Sequence, residues 1–418
     1  MPPPDAWGQG RRRVNPVQRP IYLDHHATTP CDPRVVAAMQ PYFAEEFGNA
    51  ASRTHAYGWR AAEAVERARA QIARLVGADA RDVIFTSGAT EANNLALCGG
   101  ARALRRARPA VTRLLGCRTE HRAVLDPLGA LEREGFATSL LSVGADGRLD
   151  PEALRTALAE PVLLVSVMHA NNEIGVTQPI AELARLAAAA GAAFHCDAAQ
   201  SPASLALDLE ALGVDSLALS AHKLYGPKGI GALVLRRRST QPRPEPILHG
   251  GGHERGLRSG TLPVALCVGF GQAAELARES READAKRLAG LRDRLWARLS
   301  AELPELVLNG SLEHRLPGNL NVSFLGVEGE ALLAALPELA LSTGSACTSA
   351  KREASHVLRA LGAGEARALS AVRFGIGREN SAAELERAAD CIVAAVPKLR
   401  ALSPVWDELS RGKRRAAR

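Results

Sequence analysis

A lysine follows an apolar segment near the middle of the chain, at a place where a reactive amine would be useful. Ser216–Ser220 is predicted to be a buried strand, Lys223 comes shortly after it, and a loop begins at Gly226. Only six of the 52 basic side chains are lysines, which makes this one notable. A buried amine can lose its proton and attack a carbonyl, which a guanidinium does not do. The alternative is a surface lysine after an edge strand.

Polar residues after two other predicted strands could serve the same site. Asp197 follows strand 192–196, and a carboxylate there could keep a pyridine nitrogen protonated, as a pyridoxal cofactor requires. Its alternative is a helix N-cap. The turn 87–90 precedes a helix, where free N–H groups and the Thr90 hydroxyl suit a phosphate dianion. The alternative there is a plain strand-to-helix connection.

Three further side chains complete this set. Ser220 and His222 flank Lys223 and could donate to the phosphate, and His121 could stack on an aromatic ring. The alternative for His121 is a structural role, which is more common for a single histidine. His121 alone therefore does not indicate a cofactor. Together, the residues describe one cofactor with an aldehyde, a phosphate and a protonated ring.

Strand-like and helical segments alternate along the chain and would bring these residues together. The predicted strands are 83–86, 162–168, 192–196, 216–220 and 231–235. The predicted helices before, between and after them are 57–76, 180–190 and 264–299. This alternation predicts a mostly parallel α/β sheet, whose ligands lie at the carboxyl ends of its strands. The remainder is predicted to be α+β, with a strand at 316–324 and helices at 329–335 and 382–401.

Composition narrows the class of protein. A chain of 418 residues predicts two domains, and 46% hydrophobic residues are typical of a soluble globular protein. The absence of an apolar run of about 18–20 residues argues against a membrane segment. The low aromatic content and a net charge of +7 that is concentrated at the two ends argue against nucleic-acid binding. Seven scattered cysteines suit a reducing compartment, so we expect a cytoplasmic protein.

Eight segments resemble motifs of the cysteine desulfurases, most closely those of the iron–sulfur-cluster-assembly type. The segments are 23–30, 86–91, 118–121, 168–175, 195–200, 220–228, 249–261 and 342–348. The resemblance covers Ile21 to Glu408 in family order. It implies a homodimer with the fold of the fold type I pyridoxal phosphate-dependent transferases. We therefore expect a large domain (33–277) with a mainly parallel seven-stranded sheet, a smaller α+β domain (21–32 and 278–418), and a disordered basic, proline-rich extension (1–20).

The resemblance also implies the roles of the site residues. Lys223 forms the Schiff base with pyridoxal 5'-phosphate, Asp197 pairs with the ring nitrogen, and His121 stacks on the ring and shuttles protons. The residues implied at the phenolic oxygen are Asn172 and Gln200. Those implied at the phosphate are Thr90, Ser220, His222 and, from the other subunit, Thr261, and Ala89 is a further implied cofactor-binding residue. Arg373, with Asn172, is implied to bind the substrate carboxylate, a task suited to a planar guanidinium.

Cys347 resembles the nucleophile of the family. The implied reaction converts L-cysteine to L-alanine and leaves the sulfur on Cys347 as a persulfide. An iron–sulfur scaffold or another acceptor, such as a tRNA-thiolation relay, would take it. The small polar neighbours of Cys347 predict a weakly packed loop rather than a buried core position. We expect no intrinsic metal site, although Cys347 is a candidate ligand of a transferred iron–sulfur cluster.

Rival functions follow from the same residues. A selenocysteine β-lyase would share the scaffold, whereas an aminotransferase would have no use for Cys347. A catalytically silent sulfur carrier or scaffold-binding platform would not need both Lys223 and Asp197. Two positions, Ala199 and Ala221, depart from the residues usual in the family, and we expect modest effects on cofactor affinity.

Overall fold

The computed structural model describes residues 19–236, 239–344 and 354–407. The strands in these ranges are β1 (Ile21–Tyr22), β2 (Val83–Thr86), β3 (Arg113–Cys117), β4 (Ala137–Leu141), β5 (Leu164–Ser166), β6 (Ala193–Asp197), β7 (Ser216–Ser220), β8 (Gly231–Leu235), β9 (Leu306–Leu308), β10 (Asn319–Phe324), β11 (Leu339–Ala340) and β12 (Ala371–Gly375).

The helices in the same ranges are α1 (Pro33–Met39), α2 (Pro41–Ala44), α3 (Ala56–Leu75), α4 (Ala89–Asn94), α5 (Gly100–Ala107), α6 (Arg122–Arg133), α7 (Pro151–Ala157), α8 (Ile180–Ala189), α9 (Leu209–Leu212), α10 (Val264–Glu302), α11 (Gly329–Ala334), α12 (His356–Ala360), α13 (Glu365–Leu369) and α14 (Ala382–Ala401). A π-helical turn, Leu95–Gly99, joins α4 to α5. None of the described helices is long and apolar enough to cross a membrane.

Seven strands form the main sheet, in the order β2-β8-β7-β6-β5-β3-β4. All of its pairings are parallel except the two that β8 makes, with β2 and with β7. The mainly parallel seven-stranded sheet expected from the sequence is therefore confirmed. The central strands β6 and β7 are buried along their whole length, including the polar residues His195, Asp197, Ser216 and Ser220.

Among the hydrophobic cores of the described residues, α10 connects two. One core surrounds the main sheet and includes Phe194 and Phe270. The other includes Leu295 and Phe374 and covers an antiparallel sheet of order β12-β10-β9. Ile21, in β1, also packs in this second core, where β1 pairs with β11.

The domain boundaries expected from the sequence stay predictions. The expected extension, residues 1–20, lies outside the described residues except for its last two.

Candidate active site

A cleft of about 820 Å³ lies at the carboxyl ends of the parallel strands. It collects ten of the residues singled out from the sequence: Ala89, Thr90, His121, Asn172, Asp197, Gln200, Ser220, His222, Lys223 and Arg373. Thr261 is exposed in the segment before α10 and is not among the lining residues. Cys347 lies outside the described residues. The cleft therefore unites residues that are up to 284 positions apart (373 − 89).

Asp197 is the last residue of β6, and its buried carboxylate is fixed by two donors. Asn93 Nδ2 donates to Oδ2 at 2.6 Å, and the backbone N–H of Ala199 donates to Oδ1 at 3.0 Å. No helix begins in the described residues directly after Asp197, so the N-cap alternative is wrong. A carboxylate held in this way at the cleft can face a cationic ring nitrogen.

Asn93 is a site residue that the sequence did not identify. His195 Nε2 lies 2.9 Å from Asn93 Oδ1, and His195 Nδ1 lies 2.8 Å from Ser216 Oγ. Since the Asn93 amide donates to Asp197, its oxygen is left to accept from His195. In the sequence, Asn93 is marked only by its position in the first helical turns after Gly88. That position alone does not predict a contact with Asp197.

Lys223 lies in a short 3₁₀ turn, Ala221–Lys223, directly after β7. Its Nζ donates to the carbonyl oxygens of His26 and Ala27, the latter at 2.9 Å. The N-terminal segment is held over this turn because the Thr29 hydroxyl donates to the carbonyl of His222 at 3.0 Å. The amine therefore lies inside the cleft, and the surface alternative is wrong: Lys223 is a cleft residue.

Gln200 and His26 hold each other in place beside this lysine. Gln200 Nε2 donates to the carbonyl oxygen of His26 at 3.0 Å, and Gln200 Oε1 lies 3.2 Å from His26 Nδ1. Burial first, then the positive charge of Arg373, lowers the pKa of His26 to about 3. The ring is therefore neutral at pH 7 and donates from Nδ1, which fixes the orientation of the Gln200 amide.

The turn 87–90 leaves room on its cleft side. A Cβ added to Gly88 would meet no atom within 4 Å, whereas one on Gly231 would lie 2.6 Å from Gly88 Cα. Helix α4 begins at Ala89, so its first N–H groups are available beside this space. An anionic group of phosphate size suits that place, both in its room and in its donors.

Two histidines of the cleft are neutral near pH 7. Burial first, then Lys223 and Lys228, lowers the pKa of His222 to about 4, and its Nδ1 lies 3.1 Å from the Thr28 hydroxyl. Burial also lowers the pKa of His121. His121 is the N-cap of α6: its Nδ1 accepts the N–H of Ala123 at 3.0 Å, so the ring proton is on Nε2.

Arg373 projects from β12 and retains unused donors. Nη1 donates to the carbonyl of Asn172 at 2.9 Å, and Nη2 donates to Asp24 Oδ1 at 2.6 Å. Its Nε is buried and has no hydrogen-bond partner among the described residues. A buried guanidinium with a free N–H at a cleft is suited to a carboxylate ligand.

Glu173 lies beside Gly344 and Ser355, which are close to the two ends of the segment 345–353. The Ser355 hydroxyl donates to Glu173 Oε2 at 2.5 Å. A Cβ on Gly344 would lie 3.1 Å from the same oxygen. The residues on both sides of the Cys347 segment therefore meet at one buried carboxylate.

Comparisons with known proteins agree with this fold. The family described as "Aminotransferase class-V" matches residues 21–388. A "Cysteine desulfurase IscS" of Anaeromyxobacter sp. (strain Fw109-5) is 55% identical over 395 residues, which cover 94% of this chain and 96% of the relative. The human "Cysteine desulfurase" is 48% identical over 96% of this chain and 86% of its own.

A solved structure resembles this fold over most of the chain. The structure titled "NIFS-LIKE PROTEIN" superposes with a TM-score of 0.83 at 32% identity, over 90% of this chain and 99% of that one. The chain belongs to the cysteine desulfurase family, within the class V aminotransferase-like enzymes of fold type I.

Proposed function

We propose that this protein is a pyridoxal phosphate-dependent cysteine desulfurase that converts L-cysteine to L-alanine and transfers the sulfur to Cys347. The observation that carries the proposal is the cleft that holds the amine of Lys223, the carboxylate of Asp197 and the guanidinium of Arg373 together. The identity with relatives named cysteine desulfurase supports the choice of substrate.

The cofactor fits the residues of the cleft. Asp197 would pair with the ring nitrogen, Gln200 and Asn172 would bond the phenolic oxygen, and Lys223 would bind the aldehyde carbon. The phosphate would lie at the turn 87–90, with further donors from Ser220 and His222 and, from a second subunit, Thr261. When bound, pyridoxal phosphate supplies an electrophilic carbon for the substrate amine and a protonated ring that accepts electrons from Cα.

The remaining steps belong to the side chains. Arg373 binds the α-carboxylate of cysteine and fixes the Cα–H bond near Lys223, whose amine removes the proton once the substrate amine has replaced it. His121, neutral at pH 7, carries its proton on Nε2 and would stack on the ring of the bound cofactor. The carbonyl oxygens of His26 and Ala27 hold the lysine amine at this place.

Cys347 takes the sulfur. Its thiolate attacks the substrate sulfur, so a sulfur–sulfur bond forms while the carbon–sulfur bond breaks. The electron pair of the broken bond stays on the substrate carbon, which is later protonated to give alanine. The persulfide then passes to an acceptor protein, for iron–sulfur cluster assembly or tRNA thiolation. The homodimer, the cytoplasmic location and the absence of nucleic-acid and membrane partners stay predictions.

Two variants test this proposal. Cys347→Ser should bind pyridoxal phosphate and absorb visible light as the wild type does, but release no sulfide from cysteine. Lys223→Ala should lose the covalent bond to the cofactor that borohydride reduction traps. Full sulfide release by Cys347→Ser, or a trapped bond in Lys223→Ala, would contradict the assignments. Rates with cysteine and selenocysteine, measured side by side, separate the desulfurase from a selenocysteine β-lyase.

A further inference from the structure

Glu91 and Arg258 form an ion pair behind the turn 87–90. Arg258 Nε lies 2.8 Å from Glu91 Oε1, and Arg258 Nη2 lies 3.3 Å from Oε2. The Arg258 side chain is 17% exposed and that of Glu91 is 11% exposed. Within the described part of the chain, neither residue lines the cleft. The proposed function assigns no role to this ion pair.

Glu91 is bonded directly to the turn. Its Oε2 accepts the backbone N–H of Ser87 at 2.7 Å, while Ser87, Gly88 and Thr90 line the cleft on the other side. Burial acts to raise the pKa of Glu91, but the bonds from Arg258 and Ser87 outweigh it and lower that pKa. Glu91 is therefore ionised, and a negative charge lies next to the place where the proposed function puts a phosphate dianion.

Arg258 is presented to Glu91 by a firmly held segment. The carboxylate of Glu254 accepts two bonds from Arg69, at 2.7 and 2.8 Å, and one from the N–H of Phe85 at 2.7 Å. Glu254 and Arg255 have φ of 47° and 58°, which side-chain-bearing residues adopt only where their surroundings hold them. The position of Arg258 is thus built into the fold.

We propose that Arg258 is a positioning residue for the phosphate site. Glu91 fixes the turn by binding the N–H of Ser87, and Arg258 neutralises the charge that would otherwise repel the phosphate. Without Arg258, the turn keeps its glutamate but the phosphate meets an uncompensated carboxylate. This inference rests on the proposed function, because it assumes that the ligand at the turn carries a phosphate.

The test compares pyridoxal phosphate with pyridoxal, which lacks the phosphate. Each is titrated into the cofactor-free full chain and followed by visible absorbance. Arg258→Gln should raise the dissociation constant for pyridoxal phosphate about tenfold and that for pyridoxal less than about twofold. The double variant Glu91→Gln, Arg258→Gln should recover wild-type affinity to within about threefold, because no charge is left unpaired. Arg258→Lys, which keeps the charge, should retain most of the preference for the phosphorylated ligand.

A matched ion pair serves as the control. Arg102, on α5, binds Glu134 through Nε at 2.9 Å and Nη2 at 2.6 Å, away from the turn. Arg102→Gln should leave both dissociation constants unchanged. The inference is overturned if Arg258→Gln or Arg258→Lys weakens both ligands equally, or if the double variant is not restored. A wild-type protein that does not prefer pyridoxal phosphate to pyridoxal would instead contradict the proposed function.

Discussion

A hydrogen-bonded series leads from the interior of the main sheet to the cleft. His195 contacts Ser216 through Nδ1 and Asn93 through Nε2, and Asn93 donates to Asp197. His195 is fully buried, and burial lowers its pKa to about 3. The ring is neutral at pH 7 and reaches Asp197 only through the amide of Asn93, so it orients the carboxylate without adding a charge beside it.

His195 should make the protein less stable in acid. An unfolded histidine has a pKa near 6.5, so between that value and about 3 the unfolded chain binds a proton that the folded chain does not. The contribution of His195 to the free energy of unfolding is therefore fully present above pH 6.5 and is lost progressively as the pH decreases. From pH 7 to pH 5 this group alone removes about 2 kcal/mol from the free energy of unfolding. Between pH 7 and pH 5, the free energy of unfolding of His195→Gln should therefore decrease by about 2 kcal/mol less than that of the wild type. Urea unfolding at both pH values measures this difference.

The control for this measurement is His249→Gln, at an exposed position. It should keep the difference between pH 7 and pH 5 that the wild type shows. An unchanged difference in His195→Gln would mean that the buried ring does not cause the acid sensitivity.

At the scale of elements, the short helix α12 depends on its cap. The Ser355 hydroxyl accepts the N–H of Leu358 at 3.2 Å while it donates to the buried carboxylate of Glu173. Ser381 caps α14 in a similar way, but at an exposed position where it meets Glu384. The two serines therefore differ in whether their removal leaves a buried carboxylate oxygen without its donor.

Ser355→Ala should destabilise the protein more than Ser381→Ala does. Loss of an N-cap costs about 1 kcal/mol, which is the expectation for Ser381→Ala. Ser355→Ala also removes a hydrogen bond from a buried charged group, so we expect about 2–3 kcal/mol. Urea unfolding of both variants measures the two costs, and equal values would show that the bond to Glu173 adds nothing.

Secondary structure was predictable where the local sequence pattern of an element is clear. The sequence predicted β2, β7, β8 and α14 with the bounds observed, because apolar runs or a helical period end at clear breaks. It missed β3, which is mostly buried, β4, an edge strand with mostly exposed or half-exposed residues, and β12, whose apolar run is interrupted by Arg373. It also missed the short strands β9 and β11. It also gave no order for the strands, since pairing joins residues that are far apart in the chain.

The same limit applied to the site. Lys223, Asp197 and Arg373 could be named from motifs, and the structure places all three in one cleft. Asn93 and Arg258 could not, because their partners are 104 and 167 positions away in sequence.

At the scale of the whole molecule, the N-terminal segment joins the two cores across the cleft. Asp24 follows β1, which belongs to the second core, and the next residues cover Lys223 beside the first core. Asp24 also binds Arg373 at 2.6 Å, with the arginine side chain only 4% exposed. A carboxylate of the chain thus bonds to part of the guanidinium that the proposed function assigns to the substrate.

Asp24→Asn should therefore bind carboxylate ligands more tightly. The asparagine oxygen can still accept from Nη2, so the orientation of Arg373 is kept while the competing negative charge is lost. We expect the inhibition constant of L-alanine, the proposed product, to fall about fivefold. The free energy of unfolding should fall by about 3 kcal/mol because a buried arginine loses its ion pair. Asp32→Asn is the control, since Asp32 pairs with Arg34 and Arg378, which are not among the lining residues of the cleft as described. Weaker L-alanine binding in Asp24→Asn would mean that Asp24 assists the carboxylate site instead of competing with its ligand.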